Sequence, residues 1–193
     1  MKVLGKGFAD KDDKIKGIRR ADNFAKMSVI ASKQACLDFE FKKNDTNIAI
    51  IVSTQFGPHA TTFKFLDNLI DYSDTAVSPL TFSHSVHNAA ASYIASQLEI
   101  RGQSLTMTTF EDPLRQALIL ADSWLELKQA EKILLCYIDE ESIPLNMIHG
   151  HCAFPTYSKN KLVTRAASLL LKTGNDIIIP EKIFNPFKFI EEL

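Results

Sequence analysis

Three places in the sequence hold side chains that could do chemistry. Thr109-Phe110-Glu111 forms a short turn ahead of Asp112-Pro113, where a strong N-cap residue precedes proline at the first helical position. A group presented there meets the positive end of the helix dipole, the setting that stabilises a thiolate nucleophile. The residue offered is Glu111, which can act as an electrostatic or hydrogen-bonding group and is equally the acid that any helix entry favours. His84 and His87 are three apart, a spacing that would place two imidazoles on one helical face for a metal. No third ligand accompanies them, so they read as a packed, hydrogen-bonded pair and no metal site is expected. His149-Gly150-His151-Cys152 sets a thiol beside imidazoles, but neighbours on a strand point to opposite faces, which favours a structural strand.

The bulk composition narrows the classes. The 22 Lys plus Arg against 23 Asp plus Glu leave a formal charge of -1, so no global field draws nucleic acid or anionic membrane. Three cysteines without CxxC spacing argue against a disulfide framework or a structural zinc, and fit a reducing cytoplasm. Cys36 in an apolar helix and Cys136 in an apolar strand read as buried, inert thiols. No apolar h-region opens the chain and no run approaches the roughly 20 residues of a membrane span, so a soluble, cytoplasmic protein without membrane insertion is expected. Nothing implies a cofactor. Arg19-Arg20 and Lys42-Lys43 read as solvated basic pairs, and Asp139-Glu140-Glu141 as the exposed end of a strand.

The elements that must position these groups are legible as alternating apolar runs. At 193 residues and 46% hydrophobic, with no linker or repeat, the chain reads as one domain over 1–193. Short runs predict strands at Lys2–Leu4, Asn47–Ser53, Ser104–Thr108 and Lys132–Ile138. Helical spacing predicts helices over Asp22–Asp38, over His84–Glu99 with its small run Ala89-Ala90-Ala91-Ser92, and from Pro113 through Leu125. Beyond Glu141 the signal weakens to a strand at His149–Phe154, a helix at Lys161–Lys172 and an extended piece at Ile177–Ile179. Strands alternating with helices predict an α/β layer with a mostly parallel sheet buried on both faces.

Four blocks in this order carry a family resemblance. They are Arg19-Arg20-Ala21-Asp22-Asn23-Phe24, the strand and glycine turn Ile48 to Gly57, the stretch Ser78-Pro79 through His87-Asn88-Ala89-Ala90-Ala91, and Ile100-Arg101-Gly102 before the strand leading to the turn. Together they resemble the N-terminal half of the β-ketoacyl synthases of the thiolase superfamily. They come nearest the chain-length-factor relatives of aryl-polyene and type II polyketide systems. The resemblance is strongest over 1–140; residues 141–193 complete the half-fold or contact a partner.

It implies a thiolase-like half-fold and, by departure, a role. Counted back from Ala117-Leu118, Glu111 falls where condensing members carry the cysteine that accepts the acyl chain. A carboxylate cannot exchange thioesters as a thiolate does. Chain-length factors likewise lack that cysteine, and the two histidines of condensing members belong to the C-terminal half of the fold. The resemblance thus implies a chain without its own catalytic residue, paired with a full-length β-ketoacyl synthase as a heterodimer, or with itself as a homodimer, and meeting acyl carrier protein through the complex. The implied interface elements are the strand Ser104–Thr109 and the helix His84–Glu99, with His87, Asn88, Met107, Thr108, Thr109 and Phe110 as interface or tunnel residues. The rival expectation is an independent acyltransferase, thioesterase or acyl-binding module using Cys152 with a histidine.

Overall fold

The computed structural model describes residues 1–40, 42, 44–73, 77–140 and 164–193. In chain order the elements are β1 (Lys2–Asp10), α1 (Asn23–Ala35), β2 (Ile48–Thr54), α2 (His59–Tyr72), α3 (Pro79–Ser85), α4 (Ala89–Gln97), β3 (Ser104–Thr108), α5 (Pro113–Glu126), β4 (Lys132–Asp139), β5 (Arg165–Lys172) and α6 (Pro186–Glu192). The strands form one sheet in the order β1-β5-β4-β2-β3. β2 pairs parallel with β3 and with β4, whereas β5 runs antiparallel to both β4 and β1. Four of the five strands therefore point the same way, as the expected mostly parallel sheet requires.

Alternation along the strands builds two cores. Ile48, Ile50 and Val52 of β2 with Leu134, Cys136 and Ile138 of β4 face Phe24, Met27 and Ala31 of α1 and Ala90 and Ile94 of α4. Ala49, Ile51, Ile133, Leu135 and Tyr137 face the other way, onto Leu114, Leu118 and Ala121 of α5 and Ile190 of α6. Every residue of β2 is buried, which is why its sequence is a continuous apolar run and not an alternation. Among the described residues no helix is long and apolar enough to cross a membrane.

Three expectations need correction. Residues 165–172 form strand β5, where a helix over Lys161–Lys172 was expected. Ala166-Ala167-Ser168-Leu169-Leu170-Leu171 is apolar at every period, and its place between β1 and β4, buried on both faces, overrides the helix propensity of Ala and Leu. The single helix expected over His84–Glu99 is two: Val86 is extended at φ -90 and ψ 141, ending α3, and α4 restarts at Ala89. Strand β1 runs on to Asp10 because Gly5 and Gly7 let it pass directly beneath α1; a Cβ on Gly7 would lie 2.1 Å from the Ala31 carbonyl oxygen. The strand expected at His149–Phe154, with Cys152, lies outside the described residues.

The close approach of β1 to α1 yields a direct test. Gly7→Ala forces the Ala31 carbonyl and the Ala35 amide, both backbone, to give way, and should lower stability by about 3 kcal/mol in urea denaturation. A variant within about 0.5 kcal/mol of the parent would contradict the packing.

Candidate functional site

In open α/β sheets the crevice beyond the carboxyl ends of the strands is where chemistry gathers. Here β2, β4 and β3 bring Thr54, Asp139 and the Thr109-Phe110-Glu111 turn to that end. Asp139 is the organising residue, 3% exposed. Its Oδ1 accepts from Thr54 Oγ1 at 2.9 Å and from the Gln55 N–H at 2.8 Å, and its Oδ2 accepts from the Tyr137 hydroxyl. Thr54 Oγ1 in turn accepts from the Gly57 N–H at 2.9 Å. Burial pushes the Asp139 carboxyl above its usual range, while the Tyr137, Gln55, Thr54 and Phe56 donors pull it back.

That network shapes the turn after β2, and the turn holds the next one. Gln55, itself buried, donates from Nε2 to the Phe110 carbonyl at 2.8 Å. The rings of Phe56 and Phe110 then meet at 5.8 Å, and Phe56 also touches His59, with centroids 5.2 Å apart. Phe110 remains 56% exposed. Gly57 sits at φ +77, which demands glycine, and a Cβ there would fall 2.3 Å from the His87 ring. His87 thereby lies against the β2 turn and near His59, whose pKa is lowered by burial and then by His87.

Glu140, next to Asp139, accepts from the Ala60 N–H at 2.8 Å. Burial pushes its carboxyl up to about 7; the Ala60 bond opposes the rise, and Asp22 and Asp139 add to it. The reading of Asp139-Glu140-Glu141 as an exposed strand end is thus overturned for the first two residues, which are 3% and 6% exposed. A pair of acids directly after the apolar run Ile133–Ile138 of a parallel strand was the available signal, because that position is the carboxyl end of the sheet and not its rim.

The sequence-selected residues fall as follows. Glu111 is exposed on its turn, where its carbonyl accepts from Thr109 Oγ1 at 3.1 Å. Met107 and Thr108 lie on β3, which is hydrogen-bonded only to β2 and is the sheet edge among the described residues. His87 and Asn88 are exposed; Asn88 precedes α4 without a side-chain capping bond. The expected His84–His87 pair does not form, since the helix breaks between them. His84 is buried and bonds Tyr93 Oη at 2.8 Å instead. Asp112 does precede α5, but at φ 48 in the left-handed region, and its carboxylate accepts from the Ile183 N–H at 2.9 Å and does not cap the helix. Cys36 and Cys136 are buried with thiol pKa values pushed up by burial to about 12 and about 11, inert as expected. Among the described residues no three His, Cys, Asp or Glu side chains gather as a metal site.

Asp139→Ala removes the acceptor of several buried donors at once and should cost about 3 kcal/mol in chemical denaturation. Glu111→Gln, on an exposed turn, should stay within about 0.5 kcal/mol. Equal losses would show that the network is not what holds the site.

Comparison with known proteins places this arrangement. The family described as β-ketoacyl synthase, N-terminal domain, matches residues 18–182. No curated protein matches the chain. Among solved structures, a ketosynthase in complex with its chain length factor from Xenorhabdus doucetiae superposes at a TM-score of 0.66 and 16% identity, covering 91% of this chain and 79% of that one. The ishigamide ketosynthase/chain length factor gives 0.70 and 18%, covering 86% of this chain and 48% of that one. A type II polyketide acyl-carrier protein in complex with its ketosynthase, bound to the hexaketide, gives 0.68 and 17%, covering 88% and 61%. This chain thus spans about half the length of the second structure and three-fifths of the third. At such identities these structures establish the thiolase-like fold, and with the family match over most of its length the chain belongs to the β-ketoacyl synthases, by their N-terminal domain.

Proposed function

We propose that this chain is a non-condensing, chain-length-factor-like subunit that pairs with an active β-ketoacyl synthase and helps close the cavity holding the growing acyl chain. The observation that carries the reading is the pairing of Glu111 with Phe110 on one turn. The position that would present a nucleophile presents an exposed carboxylate, and beside it an exposed ring is anchored by Gln55 and Phe56. A carboxylate there offers no thioester chemistry, whereas a fixed aromatic wall can limit the length of an apolar chain by bulk. Acyl carrier protein would deliver that chain to the complex, in polyketide or fatty-acid-like synthesis of extended, polyene-type products.

The surface around the turn suits a partner. Among the described residues β3 leaves one edge open, with Leu105 exposed beside Met107. From Phe110 a line of rings runs through Phe56 and His59 to Phe63, and on α2 and α3 it continues into exposed Leu66, Leu69, Ile70, Leu80 and Phe82. An open strand edge next to so much apolar surface is an aggregation hazard unless covered, and a stable cover buries about 1,600 Å² in total.

The test is the native mass, by light scattering, of this chain co-expressed with a β-ketoacyl synthase encoded beside it. A one-to-one complex is expected, and Leu105→Lys on the exposed face of β3 should weaken it at least about tenfold without unfolding the chain. A monomer or homodimer indifferent to the synthase would refute the proposal.

A further inference from the structure

Asp112 stands in a conformation that its place in the fold does not favour. Of the non-glycine residues at positive φ among the described ones, Glu99 and Lys128 lie just past the ends of α4 and α5, where left-handed backbone closes a helix. Asp112 instead opens one, at φ 48 and ψ 55. An aspartate before proline at the first helical position ordinarily sits in extended backbone and caps the helix, yet here its side chain makes no capping bond. Its Oδ2 accepts from the Ile183 N–H at 2.9 Å, and its Oδ1 is buried with no donor among the described residues. Ile183 belongs to a segment over 177–183 that lies against the first turn of α5. Ile177 and Ile183 are buried in the core on that side, and the Pro180 carbonyl accepts from Arg115 Nε at 2.9 Å. The carboxylate is thus drawn out of its cap by a residue 71 positions away.

We propose that Asp112 is the positioning residue of the Phe110-Glu111 turn, tethered by Ile183 in the conformation that keeps the Phe110 ring on Phe56. Both ends of the turn are fixed. The Thr109 N–H donates to the Thr54 carbonyl at 3.4 Å, prolonging the pairing of β3 with β2, and the Pro113 carbonyl accepts from the buried Ser53 Oγ at 2.8 Å. Leu114, Ala117 and Leu118 of α5 are fully buried, so the helix does not shift to meet a new path of the chain. A change of backbone at Asp112 must then be absorbed by residues 110 and 111. Were Asp112 to return to the cap, its extended backbone would lead into α5 along another line and draw the Phe110 carbonyl off Gln55 Nε2. Gln55 has no second hold on the turn, since its Oε1 is buried without a donor. Left-handed backbone is uphill for a residue with a Cβ, least so for Asp and Asn, and the bond from Ile183 is what offsets it. The tether stands on these contacts alone; its consequence, that residues 177–183 help set where the Phe110 ring limits an acyl chain, rests on the proposed role.

Two substitutions in the full chain separate the tether from the cap. Asp112→Asn keeps an acceptor for the Ile183 N–H and tolerates left-handed backbone, whereas Asp112→Ser is too short for Ile183 and caps well in extended backbone. Nuclear Overhauser contacts between the Phe56 and Phe110 rings, whose centroids lie 5.8 Å apart, should persist in Asp112→Asn and weaken at least about threefold in Asp112→Ser as the turn changes population. The Ile183 amide should exchange at least about tenfold faster in Asp112→Ser alone, while the amides of α5 beyond its first turn stay as protected as in the parent. Ring contact kept in Asp112→Ser, lost equally in Asp112→Asn, or lost only together with the protection of α5 would overturn the positioning. Should Asp112→Ser fail to fold, Asp112→Gly, at ease in left-handed backbone but without the tether, takes its place with the same expectation for the rings. Neither readout involves the synthase, so a chain that never pairs with one would refute the proposed role and leave this test intact.

Discussion

Burying the Asp139 carboxylate at the top of the sheet costs several kcal/mol unless donors fill its lone pairs. The chain fills them with Thr54, Gln55 and Tyr137, and each of these bonds fixes something further on. Thr54 closes the turn through Gly57, that turn receives the His87 ring, and Gln55 reaches across to the carbonyl of Phe110. One desolvated acid thus sets the loop after β2, which sets the loop after β3. The geometry of the exposed Phe110-Glu111 pair follows from a residue on a third strand.

The same constraint explains the economy of the fold. β2 and β4 are buried on both faces by α1 and α4 on one side and α5 and α6 on the other, so polar groups at their ends must satisfy one another. β3, by contrast, is half exposed and, among the described residues, open along one edge. A rigid sheet centre and an uncovered edge, with a ring projecting beside that edge, are what a subunit completing another protein's cavity requires under the proposed role.

Much of this was readable in the residues. Asn47–Ser53 and Lys132–Ile138 declare themselves as strands because central parallel strands are uniformly apolar, Ser104–Thr108 is legible as a short run holding Leu105 and Met107, and Asp112-Pro113 marks the start of α5 because proline is tolerated there. The four blocks pointed to the family whose N-terminal domain matches residues 18–182. β5 was illegible because Ala-Ala-Ser-Leu-Leu-Leu favours helix locally, and only its neighbours β1 and β4 make it a strand. α2 carries Phe63, Leu66 and Ile70 at helical spacing, a usable signal, yet its exposure depends on packing that no local pattern records. Asp139 and Glu140 were misplaced because charge in sequence suggests solvent, whereas their burial depends on donors contributed by residues some 80 positions away.

The most direct measurement of the proposed role is the length of the acyl chain left on carrier protein when a partner ketosynthase is reconstituted with this chain, read by mass spectrometry. With Phe110→Ala in place of the parent chain, the account predicts products longer by at least one extension unit at undiminished complex formation. An unchanged length distribution, or condensation by this chain without the ketosynthase, would contradict it.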